Sequence, residues 1–138
     1  MRRIKIFLLV VLIFGLVPAP VSAEIKQCKK WEETALSVGW DKTEIKKLSQ
    51  IMYRESRCQP QVFNQNKRKD GSVWSKDLGL MQINDYSWRK WLKDKKIIKV
   101  DADLFVPVLN LKAALAIWQY GEDKHGNGWI AWSATSGS

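Results

Sequence analysis

Cysteine and histidine are scarce: Cys28, Cys58 and His125 are the whole supply in 138 residues. So few soft ligands argue against a zinc site, and neither a metal nor another cofactor is expected. The histidine stands far along the chain from Cys58, which argues against a thiol nucleophile there. No repeat and no Pro-, Gly- or Ser-rich linker interrupts the chain, so its length reads as one domain. Long apolar runs are missing too. The run from Ile6 to Val17 covers 12 residues, short of the ~20 a membrane-spanning helix needs. Arg2, Arg3 and Lys5 precede it, and Pro18, Pro20 and Val21-Ser22-Ala23 follow. That is the layout of a secretory leader over residues 1–23, cut after Ala23. The domain is then residues 24–138, secreted or periplasmic, without stable membrane insertion. In that oxidising setting Cys28 and Cys58 are expected to form a disulfide.

What is abundant is positive charge, +9 for the whole chain. Losing Arg2, Arg3 and Lys5 with the leader still leaves +6. A basic exported protein meets anionic lipid or an acidic wall polymer, and export argues against nucleic acid. Tryptophan is plentiful as well, at eight residues. Trp31 and Trp118 fall on helix stripes and read as core. The run "LKDKKIIKV" reads as a basic surface.

The periodicity predicts a mostly helical chain with a small sheet in the middle. Trp31, Ala35 and Val38 share a face over Cys28 to Val38. Asp41 opens a second helix, with Glu44 as the other half of a capping box. Its apolar stripe is Ile45, Leu48 and Met52, and the next position on that stripe is Glu55. After Pro60 the pattern changes to short apolar runs around Asp70-Gly71, a hairpin turn signal. A helix is expected from Tyr86 to Lys95, then a loop or turn over 101–106. A further helix should run from Pro107 to Tyr120 and stop at Gly121.

A carboxyl group on an apolar helix face is disfavoured in its charged form, so Glu55 is expected to hold a proton near neutral pH. That is what a general acid needs to protonate a poor leaving group. Its bland reading is a salt bridge to a neighbouring arginine. Asp77, in the sheet region, would stay ionised. Two carboxyl groups in different environments across a cleft equip a site for glycosidic cleavage.

The segments "RESRCQP", "DLGLMQIN", "NLKAALAIW" and the Trp-Ile-Ala-Trp near the end resemble the lysozyme-like superfamily. They are similar to the catalytic domains of soluble lytic transglycosylases and to C-type lysozymes, over about Cys28 to Trp132. The resemblance implies an α+β, mostly helical, lysozyme-like fold with a small antiparallel sheet inserted between helices. It gives Glu55 the role of acid and Asp77 that of second carboxylate. It assigns Trp129 to packing over the acid. Gln82 and Asn84 fall on the cleft wall, Asn84 bonding a sugar and Gln82 holding the sheet. Asn64 and Asn66 can orient Asp77, and Trp88 falls among sugar-stacking aromatics. The implied activity is cleavage of the β-1,4 bond between N-acetylmuramic acid and N-acetylglucosamine, by water or by the sugar's own 6-hydroxyl. The implied partner is the peptidoglycan strand, met by a monomer. The rival readings are a wall-binding protein without catalysis and a cationic membrane-active protein.

Overall fold

The computed structural model describes residues 26–133. The leader expected over residues 1–23 lies outside the described residues. A short 3-10 turn, Lys29–Trp31, leads into helix α1 (Glu32–Ser37). The chain reverses at Gly39, whose φ of +107° is open to glycine, and Trp40 folds back into the core.

Helix α2 (Ile45–Ser56) starts later than the capping-box reading predicts. The Asp41 carboxylate accepts bonds from the Thr43 amide at 2.8 Å and hydroxyl at 2.6 Å, which makes a local turn. Glu44 is therefore not a capping partner. Its carboxylate accepts the Trp129 indole N–H at 3.0 Å from the far end of the chain. The stripe of α2 is buried as its spacing demands: Ile45, Leu48, Ile51 and Met52. The helix ends in two left-handed residues, Arg57 and Cys58.

Cys58 is bonded to Cys28, as expected. The link closes a loop with a sequence separation of 30 and contributes roughly 3–4 kcal/mol in the loop-entropy model. It pins the segment just before the first 3-10 turn to the end of α2, three residues beyond Glu55.

Strands β1 (Phe63–Lys67), β2 (Val73–Leu78) and β3 (Ile83–Asn84) form an antiparallel sheet in the order β1-β2-β3. The β1–β2 turn is held by Asp70, which accepts from the Ser72 amide at 2.9 Å. Helix α3 (Asp85–Asp94) follows β3 directly, with Asn84 as its N-cap accepting from the Ser87 amide at 2.9 Å.

Helix α4 (Pro107–His125) has proline in its first turn, as predicted, but does not stop at Gly121. It ends at Gly126, in the left-handed conformation. Gly121 serves a different need. A Cβ there would stand 2.7 Å from the Asn127 carbonyl oxygen and 3.1 Å from Gly128. The missing side chain lets the last 3-10 turn, Gly128–Trp132, lie against α4.

Two devices lock the halves together. Trp40 and Trp129 stack at 5.5 Å, with Trp118 tilted against both. The Trp40 indole donates to the Leu111 carbonyl at 3.0 Å. The second device is Asn110, fully buried on α4. It accepts from the Met81 amide at 3.0 Å and donates to the carbonyls of Leu78 at 3.0 Å and Leu104 at 2.7 Å. Gly79 permits that approach. At its φ of +74°, a Cβ would fall 2.1 Å from the Leu104 oxygen. No helix among the described residues is long and apolar enough to cross a membrane.

Candidate active site

Antiparallel register builds one wall of a cleft. Asn64 pairs with Asp77, which pairs with Asn84, and Asn66 pairs with Ser75. Directly opposed residues share a face, so these five polar side chains point the same way. Asn84 donates to one Asp77 oxygen at 2.8 Å and Asn66 to the other at 3.0 Å. Both amides also donate to the Ser75 hydroxyl, at 3.2 and 3.0 Å. Asp77 is thus held from both sides with an N–H on each carboxylate oxygen.

The opposite wall comes from helix ends. Glu55, half-buried in the last turn of α2, lines a cleft of about 280 Å³ with Asp77, Asn64, Gln82, Asn84 and Trp88. Ile83, Ile117, Ala131 and Trp132 complete it. One end of a core stripe and one face of a sheet therefore meet around two carboxyl groups. Wider hollows exist, of about 490 Å³ behind the sheet and about 500 Å³ between α3 and α4. The one behind the sheet also contains two carboxylates, Asp85 and Asp101, but Arg89 bridges them at 3.0 and 2.6 Å. The Arg89 guanidinium is accordingly pushed above its ordinary pKa, chiefly by its hydrogen bond to Asp101. Those carboxylates are engaged with a cation, so size is a poor guide to the chemistry here.

The expected site residues are not all placed as the resemblance implies. Trp129 does not line this cleft. It is buried, stacked on Trp40, and tied through its indole N–H to Glu44. Trp132 lines the cleft instead, and donates to the Met81 carbonyl at 2.8 Å. The reason is the 3-10 turn. With three residues per turn, positions 129 and 132 stand on one side, and both indoles are buried, 6.0 Å apart. Trp129 reaches Trp40, while Trp132, further along, also reaches the cleft.

Gln82 is a strut. Its amide nitrogen donates to the carbonyls of Val62 at 3.1 Å and Gly79 at 3.0 Å, and its oxygen accepts from Asn64 at 2.7 Å. Those bonds hold it at a φ of +47°, a backbone state that costs a non-glycine residue about 1 kcal/mol or more. Asn64 therefore reaches Gln82 rather than Asp77. The Asn84 amide hydrogens are engaged by Ser75 and Asp77, so this residue positions the carboxylate rather than presenting a donor to a sugar. Trp88 does line the cleft.

Ser75 and Asn110 also serve the site and its support, and each carries a signal in the sequence. Ser75 is two residues before Asp77 in a strand, hence on its face. Asn110 lies on the stripe Asn110, Ala113, Ala114, Ile117, Gly121 of α4, where a polar residue needs an explanation as much as Glu55 does. Among the described residues no group of His, Cys, Asp and Glu is arranged to hold a metal ion.

A family model described as a lysozyme like domain matches residues 32–134. Neither a curated protein nor a solved structure matches the chain.

Proposed function

The chain belongs to the lysozyme-like domain family, and from that premise we propose that it is an exported glycosidase that cuts peptidoglycan. The bond cut is the β-1,4 link between N-acetylmuramic acid and N-acetylglucosamine. The leader over residues 1–23 would direct export and be cut off after Ala23. The Cys28–Cys58 disulfide is in keeping with an oxidising compartment.

The observation that carries this reading is the pairing of Glu55 with an amide-clamped Asp77 in one cleft. Glu55 protonates the bridging oxygen as the bond to the anomeric carbon breaks. That carbon develops oxocarbenium character, and Asp77 faces it with a carboxylate already fixed in place. Pre-fixed charge is effective because nothing has to reorganise as the barrier is crossed. The cation is then captured by water, which gives a reducing end. In the transglycosylase variant its own 6-hydroxyl captures it instead and gives an anhydro ring. In either case Glu55 recovers its proton from the attacking hydroxyl. The clamp on Asp77 favours a route that uses both carboxyl groups.

Glu55→Gln tests the assignment. It keeps size and hydrogen bonding but has no proton of suitable acidity. Clearing of a purified wall suspension should fall by about 10²–10⁴-fold, with the melting temperature unchanged. Clearing at the wild-type rate would reject Glu55 as the acid.

A further inference from the structure

The cleft does not end at Trp88. That ring meets Trp91 at 5.4 Å and Tyr120 at 5.7 Å, and those two meet each other at 5.6 Å. Trp88 lines the cleft, while Trp91 and Tyr120 line the groove of about 500 Å³ between α3 and α4. A single cluster of three partly exposed rings is therefore the boundary between the two hollows.

The groove beyond differs in character from the cleft. Its floor is apolar, with Val38, Ile97 and Leu115. Its charged lining is Lys95 and Lys112 against Asp123. On the same stretch Arg89, Lys90 and Lys93 are ion-paired, whereas Lys95 and Lys112 are in none of these pairs. The Lys95 ammonium stands 4.8 Å from the centre of the Trp91 ring. Part of the "LKDKKIIKV" run thus lines a hollow next to the cleft rather than an undifferentiated surface.

We infer that this groove takes the carboxylate-bearing peptide branch of the glycan whose backbone lies in the cleft. The inference rests on the peptidoglycan reading above. A glycan strand with muramic acid carries short peptides on its lactyl groups, each with free carboxylates and alkyl carbons. A branch crossing the rim of three rings brings its carboxylates to Lys95 and Lys112 and its alkyl portions to the apolar floor. Stripped of its peptide, the strand keeps only the lactyl carboxylate beside the sugar ring and has no alkyl portion to cover the apolar floor. The chain should therefore favour peptide-substituted glycan over the same glycan stripped of peptides.

The test measures binding of purified glycan strands, with peptides and after their enzymatic removal. Glu55→Gln protein is used so that cleavage does not consume the ligand. It is compared with the same protein carrying Lys95→Glu and Lys112→Glu. Reversing two exposed charges should weaken binding of the peptide-bearing strands about tenfold and leave the stripped strands unaffected. Lys112→Glu alone, exposed on α4, should give part of the same selective loss. Added salt should shrink the preference. Equal losses on both ligands, or none on either, would overturn the inference. Cleavage by the Glu55→Gln protein at the wild-type rate would instead count against the assignment of the acid, a separate failure visible in the same samples.

Discussion

Asn110→Ala is the change from which the fold has most to lose for the fewest atoms. The side chain is fully buried and serves three backbone groups: the Met81 amide and the carbonyls of Leu78 and Leu104. A typical intramolecular hydrogen bond contributes about 1 kcal/mol net, so three removed bonds give about 3 kcal/mol. One N–H and two C=O groups are also left buried without this partner, and a stranded donor costs about 1–3 kcal/mol by itself. The expected loss is about 4–6 kcal/mol, at the diagnostic end of the range for single substitutions. For a domain of this size that corresponds to a fall in melting temperature on the order of 15–25 °C. Thermal and urea unfolding followed by circular dichroism measure it. Amide exchange at Met81 should accelerate before the rest of the core opens, because that N–H loses its acceptor. Asn110→Asp should be no better. It keeps an acceptor for Met81, gives up both donors and buries a charge. A loss below about 1 kcal/mol for Asn110→Ala would refute the view that this residue clamps the 78–82 segment to α4.

Asn66→Ala and Asn84→Ala each remove one N–H from Asp77 at the partly exposed sheet face. Each should lower wall cleavage by about tenfold or more, while costing roughly 1 kcal/mol of stability for Asn66 and about 2 kcal/mol for Asn84, which also loses the cap of α3. An activity loss no larger than the stability loss explains would count against the clamp. Acid should destabilise the fold through Asp41, Asp70 and Asp103, whose pKa values lie below the ordinary aspartate value. Asp41 is lowered first by its bond from the Thr43 hydroxyl, Asp70 by that from the Ser72 hydroxyl, and Asp103 by the Lys99 and Val100 amides. Lowered folded values mean that their contribution is complete above the ordinary carboxylate range and disappears as pH falls through the folded values. Stability curves in strong acid should therefore slope downward, and Asp103→Asn should flatten the slope. An unchanged slope in that variant would remove Asp103 from the explanation.

The sequence carried most of this wherever one residue's neighbours lie at helical or strand spacing. Glu55 was legible because Ile45, Leu48 and Met52 mark an inward stripe and position 55 continues it. Asp77 and Asn66 were legible because a hairpin turn between two short runs brings their strands together. What escaped depended on partners remote in sequence. Glu44 reads as a capping residue until a tryptophan 85 residues away takes its carboxylate. Gly121 reads as a helix stop until the Gly128–Trp132 turn is seen to need its missing side chain. The exchange of Trp129 for Trp132 at the cleft depends on Trp40 and Glu44, remote in sequence, which hold the Trp129 indole in the core. No local pattern in Gly-Trp-Ile-Ala-Trp decides that.

Mass spectrometry of the soluble products from purified peptidoglycan, digested by the wild-type protein, tests the central claim most directly. The account predicts short sugar fragments ending at muramic acid, with either a reducing end or an anhydro end lighter by one water. Walls left insoluble, or fragments cut only within the peptides, would contradict it.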